Sequence, residues 1–157
     1  MKVPIVKSDG KSNTHVIERL LIEGVKVNIT AIFTEGQLLD VYDLLNHTIS
    51  VNDENPTKQV IVSIFAGRIS DTATNPFEIV QFGCKLLKRF PSVEILWAGC
   101  KEALSIQHAI DAGCHIITVP DSILDRIGRV GKDLSQFSIE TVRGFNADGA
   151  KAAVVIE

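Results

Sequence analysis

Short apolar runs rich in β-branched residues alternate with amphipathic stretches along this chain. The apolar runs predict five strands, at Val3–Val6, Val25–Phe33, Gln59–Phe65, Val93–Ala98 and His115–Val119. The amphipathic stretches predict helices at Asn13–Glu23, Glu35–Leu45, Pro76–Phe90, Lys101–Ala112 and Pro120–Ile127, and another near Ser138–Lys151. Near-continuous apolar strands that alternate with helices are typical of parallel strands buried on both faces. The pattern therefore predicts an α/β fold of strand-then-helix units.

Two architectures fit this alternation, an open doubly wound sheet and a β/α barrel. The glycine-rich strand-to-helix turns of nucleotide-binding folds, G-x-G-x-x-G and G-x-x-x-x-G-K-[ST], are absent from the sequence, which favours the barrel. We expect one domain over residues 1–157, with an exposed loop at His47–Lys58. The first predicted strand leaves no room upstream for the other elements of a parallel sheet, so we expect the chain to be part of a larger assembly.

Composition narrows the class of protein. The 157 residues are 45% hydrophobic and 22% charged, which is ordinary for a globular domain. A net charge of −3 makes nucleic acid an unexpected partner, and no apolar run reaches the roughly 18 residues of a membrane span. Three cysteines without metal-type spacing argue against a disulfide framework. We expect a soluble protein of the cytoplasm, without a metal or other cofactor.

Polar residues near the carboxyl ends of the strands are the candidates for chemistry, because a barrel carries its active site at that end. Asn28 and Thr30 are two residues apart, so both side chains point to one side of the second strand. They are either functional groups or core groups hydrogen-bonded to each other or to buried water. Arg68 follows Gly67 at the end of the third strand, where its guanidinium suits a phosphate or an ion pair with Asp71.

Two lysines extend this set of candidates. Lys101 follows the fourth strand and is either a second cation for an anionic ligand or a solvated helix residue. Lys2 lies on the first strand, beside Val3 and Ile5. An inward-facing lysine near other cations would have a lowered pKa and could attack a carbonyl to form a Schiff base. The alternative is a charged residue at a frayed terminus.

Four ordered segments and the Lys2 segment together resemble the transaldolase family, which includes fructose-6-phosphate aldolase-like proteins. They begin with the first strand, K-V-P-I, and continue through residues 23–34, 63–69, 96–102 and 113–119. The resemblance covers nearly the whole chain. It implies a β/α barrel of the class I aldolase type, in which this chain supplies the fourth to eighth strands and the first three are missing.

By this resemblance, Lys2 matches the Schiff-base lysine that holds a dihydroxyacetone unit taken from a ketose phosphate and passes it to an aldose phosphate. Asn28 and Thr30 match the pair that orders the donor hydroxyls and the catalytic water. Ser63 and Arg68 match positions that line the substrate and bind its phosphate. The resemblance thus implies sugar phosphates of the fructose 6-phosphate class and a role in the pentose phosphate pathway of carbohydrate metabolism.

The chain also departs from the family pattern. Gly99-Cys100-Lys101 stands where the family usually has Ser-Thr-Arg, so Lys101 replaces an arginine and phosphate affinity is expected to fall. The acidic, amide and glutamate residues of the family's first three strands have no counterpart here. Two interpretations follow: a transferase that is active when the missing strands are supplied, or a non-catalytic sugar-phosphate-binding or assembly module. In either case we expect a homo-oligomer or pairing with a separate N-terminal half.

Overall fold

A computed structural model describes residues 1–49 and 60–153, which divide into two units, Met1–Leu124 and Asp125–Glu157. In the first unit, five parallel strands form one sheet in the order β1-β2-β3-β4-β5. The strands are β1 (Lys2–Pro4), β2 (Val27–Ile32), β3 (Val60–Ile64), β4 (Val93–Trp97) and β5 (Ile116–Ile117). The helices are α1 (Thr14–Ile22), α2 (Glu35–Thr48), α3 (Ala66–Ser70), α4 (Pro76–Leu87), α5 (Leu104–Ala112), α6 (Asp121–Ile127) and α7 (Leu134–Ala153).

Alternate residues of the strands build the core with helices α1, α2, α4 and α5. This core face of the sheet consists of Val3, Ile5, Val27, Ile29, Val60, Val62, Ile64, Val93, Ile95 and Trp97, all of them buried. Because strand side chains alternate, the residues between them form a second face. The second face comprises Lys2, Pro4, Asn28, Thr30, Ile61, Ser63, Glu94 and Leu96. The polar candidates Asn28, Thr30 and Ser63 therefore lie on the same face of the sheet.

The sheet is open, and its sequential order of parallel strands is consistent with part of a TIM-type barrel. Each strand pairs with the next strand along the chain, with a helical connection between them. The alternation of apolar and amphipathic segments predicted these consecutive βα units. The α/β fold and the five strands are confirmed.

Local signals start α2 and α4, and end α5, at the predicted residues. Thr34 caps α2 in a capping box with Gln37, whose side chain also accepts from the Thr34 backbone N–H at 3.2 Å. The Asn75 side chain accepts from the Phe77 backbone N–H at 3.1 Å, and Pro76 occupies the first turn of α4. Gly113 ends α5 with a left-handed φ of 85°.

The structure corrects two details of the sequence interpretation. Helix α2 continues through His47 and Thr48, where we expected the loop to begin, and the rest of that predicted loop up to residue 58 lies largely outside the described residues. A short helix, α3, follows β3 directly and was not predicted. It begins at the buried Ala66 and Gly67, so the end of β3 turns at once into a helix.

The second unit is built around α7. Asp133 begins this helix, because its side chain accepts from the Gln136 backbone N–H at 2.8 Å. Lys132 forms an ion pair with Glu140 and lies 4.8 Å from the centre of the Phe137 ring. No helix in residues 1–49 or 60–153 is both long and apolar enough to cross a membrane.

Candidate functional site

Lys2 lies on the edge strand β1, directly opposite Asn28 of β2 in the parallel register. Its side chain is exposed, whereas its neighbours Val3 and Ile5 point to the core face. Lys2, Asn28 and Ile61 are among the residues that line one cavity of about 340 Å³ at the amino ends of β1 and β2. The sequence led us to expect an inward-facing lysine held among apolar neighbours. The Lys2 side chain is instead exposed, and its amine is accessible from a concave surface.

Asn28 and Ser63 form the polar centre of the second face. The Ser63 hydroxyl donates a 2.7 Å hydrogen bond to Oδ1 of Asn28, across the β2–β3 pair. Ser63 is only 3% exposed, so this bond satisfies a hydroxyl that water hardly reaches. The bond also fixes the Asn28 side chain, leaving its amide N–H groups as potential donors to a ligand. Asn28 thus bonds to Ser63, where the sequence had suggested Thr30 or water.

Thr30 lies within an irregular part of β2. The register of β2 against β3 shifts between Ile29 and Ile32, and Ala31 has a φ of 58°. A left-handed backbone at a residue other than glycine costs free energy and marks a local constraint, here a bulge that redirects the end of the strand. Thr30 is half-buried and shares the second face with Asn28, as its spacing predicted.

Arg68 and Lys101 line a second cavity, of about 250 Å³, at the carboxyl ends of β3 and β4. The cavity floor is backbone: Gly67 donates its N–H to the Ala98 carbonyl at 3.0 Å. A Cβ at Gly67 would overlap the carbonyl oxygen of Gly99, so only glycine permits this close approach. We call the cavity formed by Phe65, Gly67, Arg68, Ala98, Gly99 and Lys101 the cation pocket.

The two cations of this pocket have different partners. Lys101 forms a 3.1 Å ion pair with Asp71, and both side chains are more than half exposed. The Arg68 guanidinium lies 5.6 Å from the centre of the Phe65 ring. The suggested Arg68–Asp71 pair is therefore wrong, because Asp71 pairs with the lysine. Among the described carboxylates none forms an ion pair with Arg68, so its guanidinium remains available to an anion.

The loop after β4 is anchored to the loop after β5. Gly99 donates its N–H to the Thr118 hydroxyl at 3.3 Å, and Cys100 donates its N–H to the Thr118 carbonyl at 3.3 Å. Cys100 is 4% exposed, and its thiol donates to the Glu102 carbonyl. Cys100 therefore has a structural position, and Lys101 is the residue of this loop that lines the pocket.

The structure thus places the candidate residues in two groups on the same sheet. Lys2, Asn28, Thr30 and Ser63 share the second face, and Arg68 and Lys101 share the cation pocket. Ser63 lies in β3 and Arg68 just beyond that strand, so β3 contributes to both groups. The sequence interpretation missed Phe65 and Asp71 as the partners of the two cations. Within the described residues, no group of three or more His, Cys, Asp or Glu side chains could hold a metal ion.

A match to the family described as Transaldolase/Fructose-6-phosphate aldolase extends over residues 1–155. The chain belongs to this family. It is similar to a probable transaldolase of a Thermoanaerobacter species, with 27% identity over 157 residues, 99% of this chain and 62% of the relative. It is 26% identical over 129 residues to a probable transaldolase of Caldicellulosiruptor saccharolyticus, covering 81% of this chain and 52% of the relative.

A third relative, a probable transaldolase 2 of Listeria monocytogenes, is 26% identical over 128 residues. That match covers 81% of this chain and 51% of the relative. The chain thus spans about half the length of most of the curated relatives it matches. The resemblance to the transaldolase family is confirmed.

Proposed function

We propose that this chain supplies the Schiff-base lysine and the phosphate-binding end of a transaldolase-type transferase for sugar phosphates. The observation that carries the proposal is the arrangement on the second face. Lys2 lies opposite Asn28 in the register, and Asn28 is hydrogen-bonded to Ser63 at 2.7 Å. A primary amine, which can add to a carbonyl, and an oriented amide, which can bind substrate hydroxyls, thus line one cavity.

The Lys2 amine would attack the carbonyl of a ketose phosphate such as fructose 6-phosphate. Loss of water gives an iminium that accepts electrons when the neighbouring carbon–carbon bond breaks. An aldose phosphate leaves, and the dihydroxyacetone unit stays on Lys2 until a second aldose phosphate takes it up. Asn28, Thr30 and Ser63 would hold the donor hydroxyls and the water.

The cation pocket would bind the phosphate. Arg68 offers a planar fork of donors, and Lys101 adds a second positive charge at the neighbouring strand end. These residues lie at the carboxyl ends of their strands, where β/α barrels carry their chemistry. We propose that the remaining strands of the barrel, and the general acid–base that the reaction needs, come from another part of the protein or from another chain.

Borohydride trapping tests the nucleophile. The chain is incubated with fructose 6-phosphate, reduced with borohydride and digested, and the peptides are analysed by mass spectrometry. We expect an adduct on the peptide that contains Lys2, its loss in Lys2→Ala, and no change in the exposed control Lys7→Ala. The same experiment is repeated on this chain fused behind the amino-terminal part of the Thermoanaerobacter relative.

Lys26 lines the same cavity. An adduct on Lys26 instead of Lys2 would show that Lys26 is the nucleophile and would overturn the proposal. Absence of any adduct from both the chain and the fusion would favour the non-catalytic module. In that case, binding of fructose 6-phosphate but not fructose would show a sugar-phosphate-binding module.

A further inference from the structure

Cys84 and Cys114 meet at the packing contact between α4 and the turn that follows α5. Cys84 lies in α4, and Cys114 comes directly after Gly113, which ends α5. A Cβ built at Gly113 would lie 3.9 Å from the Cβ of Cys84, so the Cys84 side chain faces this turn. The two cysteine side chains are close enough for each to perturb the other's pKa. Thiols 30 positions apart in the sequence are thus neighbours in the fold.

The pair is accessible from solvent. Both cysteines are half-buried and pack against the hydrophobic core. Cys84 lines a cavity of about 320 Å³, together with Lys85, Lys88 and His115. A small polar oxidant could enter this cavity and reach the Cys84 sulfur, while the apolar floor keeps the thiols in place.

The two sulfurs differ in their surroundings, because Cys84 lines the cavity and Cys114 is not among its lining residues. The Cys114 thiol lowers the pKa of Cys84, against the opposing effect of partial burial. In return, the Cys84 sulfur and burial raise the pKa of Cys114. Cys84, which lines the cavity and has the lowered pKa, is therefore the sulfur that meets the oxidant first.

We propose that Cys84 and Cys114 form an oxidisable dithiol, in which a hydroperoxide oxidises Cys84 and Cys114 then closes an intramolecular disulfide. The Cys84 thiolate attacks one peroxide oxygen, and the O–O bond breaks. The leaving oxygen takes a proton and departs as water or an alcohol, which leaves a sulfenic acid on Cys84. Cys114 then attacks the Cys84 sulfur, the S–O bond breaks, and the Cys114 proton leaves with the hydroxyl as water. Two thiols are oxidised and one peroxide is reduced.

Cys100 is the matched control in the same chain. It is 4% exposed and its thiol donates to the Glu102 carbonyl at 3.2 Å. It lies after β4, away from the cavity that Cys84 lines. Cys100 should therefore stay reduced when the pair is oxidised.

The test uses the purified, fully reduced chain and equimolar hydrogen peroxide, followed by alkylation and peptide mapping without reductant. We expect the free thiols to fall from three to one per chain. The mapped product is a Cys84–Cys114 cross-linked peptide that dithiothreitol reverses, and Cys100 is recovered alkylated. Cys100→Ser should give the same cross-link, whereas Cys114→Ser should accumulate a Cys84 sulfenic acid that dimedone traps.

Two oxidation products would overturn the proposal: a disulfide that includes Cys100, or irreversibly oxidised Cys84 in the unmutated chain. The proposal would also fail if Cys84 and Cys114 remained alkylatable at a peroxide concentration that oxidises free glutathione. The decisive measurement is made on the unmutated chain, so it does not depend on whether a variant folds. It requires no sugar phosphate and is independent of the proposed function.

Discussion

Arg68 and Lys101 carry the same charge but differ in how firmly the protein already holds them. Lys101 is paired with Asp71 at 3.1 Å, whereas the Arg68 guanidinium lies over the Phe65 ring. An anion that binds Lys101 must compete with a carboxylate, and one that binds Arg68 need not. The guanidinium also offers two parallel donors to a phosphate, which an ammonium cannot do.

Removal of Arg68 should therefore weaken sugar-phosphate binding more than removal of Lys101. We expect Arg68→Ala to lower the affinity for fructose 6-phosphate about ten- to a hundredfold, the usual effect of losing a charge-assisted hydrogen bond. Asp71→Asn should raise the affinity about two- to fivefold, because it frees Lys101 from an exposed ion pair. Calorimetric titration with fructose 6-phosphate, and with fructose as the unphosphorylated control, measures both effects. Equal affinities for the two sugars would show that this pocket does not bind the phosphate.

Cys84 offers a pH-dependent prediction at the same scale. Cys114 lowers the pKa of Cys84, so the Cys84 thiolate should persist to lower pH in the unmutated chain than in Cys114→Ala. Lys85, Lys88 and His115 line the same cavity and are unchanged by that substitution. Iodoacetamide alkylates the thiolate, so the rate of Cys84 alkylation increases with pH. The midpoint of this increase, measured by mass spectrometry, should lie at a higher pH in Cys114→Ala than in the unmutated chain. Coincident profiles would mean that Cys114 has no effect on the pKa of Cys84.

At the scale of elements, the strands could be predicted from their apolar sequence, but the contacts within the site could not. The runs Val60–Ile64 and Val93–Trp97 are almost entirely apolar, so their strands could be predicted from the sequence. The shared side of Asn28 and Thr30 follows from the two-residue period of a strand. The Asn28–Ser63 and Lys101–Asp71 contacts could not be predicted, because each depends on how neighbouring segments are placed against each other.

Helix α3 shows the same limit. Its five residues have too little amphipathic pattern to stand out in the sequence. The structure holds its start through Gly67, whose N–H is bonded to Ala98 of the next βα unit. A contact between segments 31 positions apart thus shapes the cation pocket, and the sequence indicated only that Gly67 permits a close approach.

A methyl group at Gly67 should disrupt this contact. We expect Gly67→Ala to lower the free energy of unfolding by about 2–4 kcal/mol, because the new Cβ overlaps the backbone of Gly99. Gly36→Ala is the matched control: its Cβ would meet only the Thr34 hydroxyl oxygen, at 3.9 Å. Alanine in that helix should be neutral or stabilise by about 0.5 kcal/mol. Urea unfolding curves of both variants test the comparison. Equal midpoints would show that the close approach of Gly67 to Gly99 does not contribute to stability.

On the scale of the whole molecule, the sheet ends at two edge strands. In the described part of the chain, β1 pairs only with β2, and β5 pairs only with β4. Edge strands present backbone N–H and C=O groups that favour pairing with another chain. Proline at position 4 weakens β1 as a hydrogen-bonding edge, because it has no backbone N–H. The edge strand β5 contains no proline, and Ile116 is one of its two residues.

We therefore predict that the isolated chain associates with itself through the β5 edge. A few hundred Å² of apolar surface, at roughly 25 cal/mol per Å², favours association by several kcal/mol before ordering costs. Sedimentation velocity should show a concentration-dependent oligomer, and the dye ANS should bind. Ile116→Lys places a charge beside this edge and should shift the chain toward monomer. Ile110→Lys, at a position 64% exposed on α5, should leave association unchanged. A stable monomer with little dye binding would contradict the prediction, and an unchanged oligomer in Ile116→Lys would assign association to another surface.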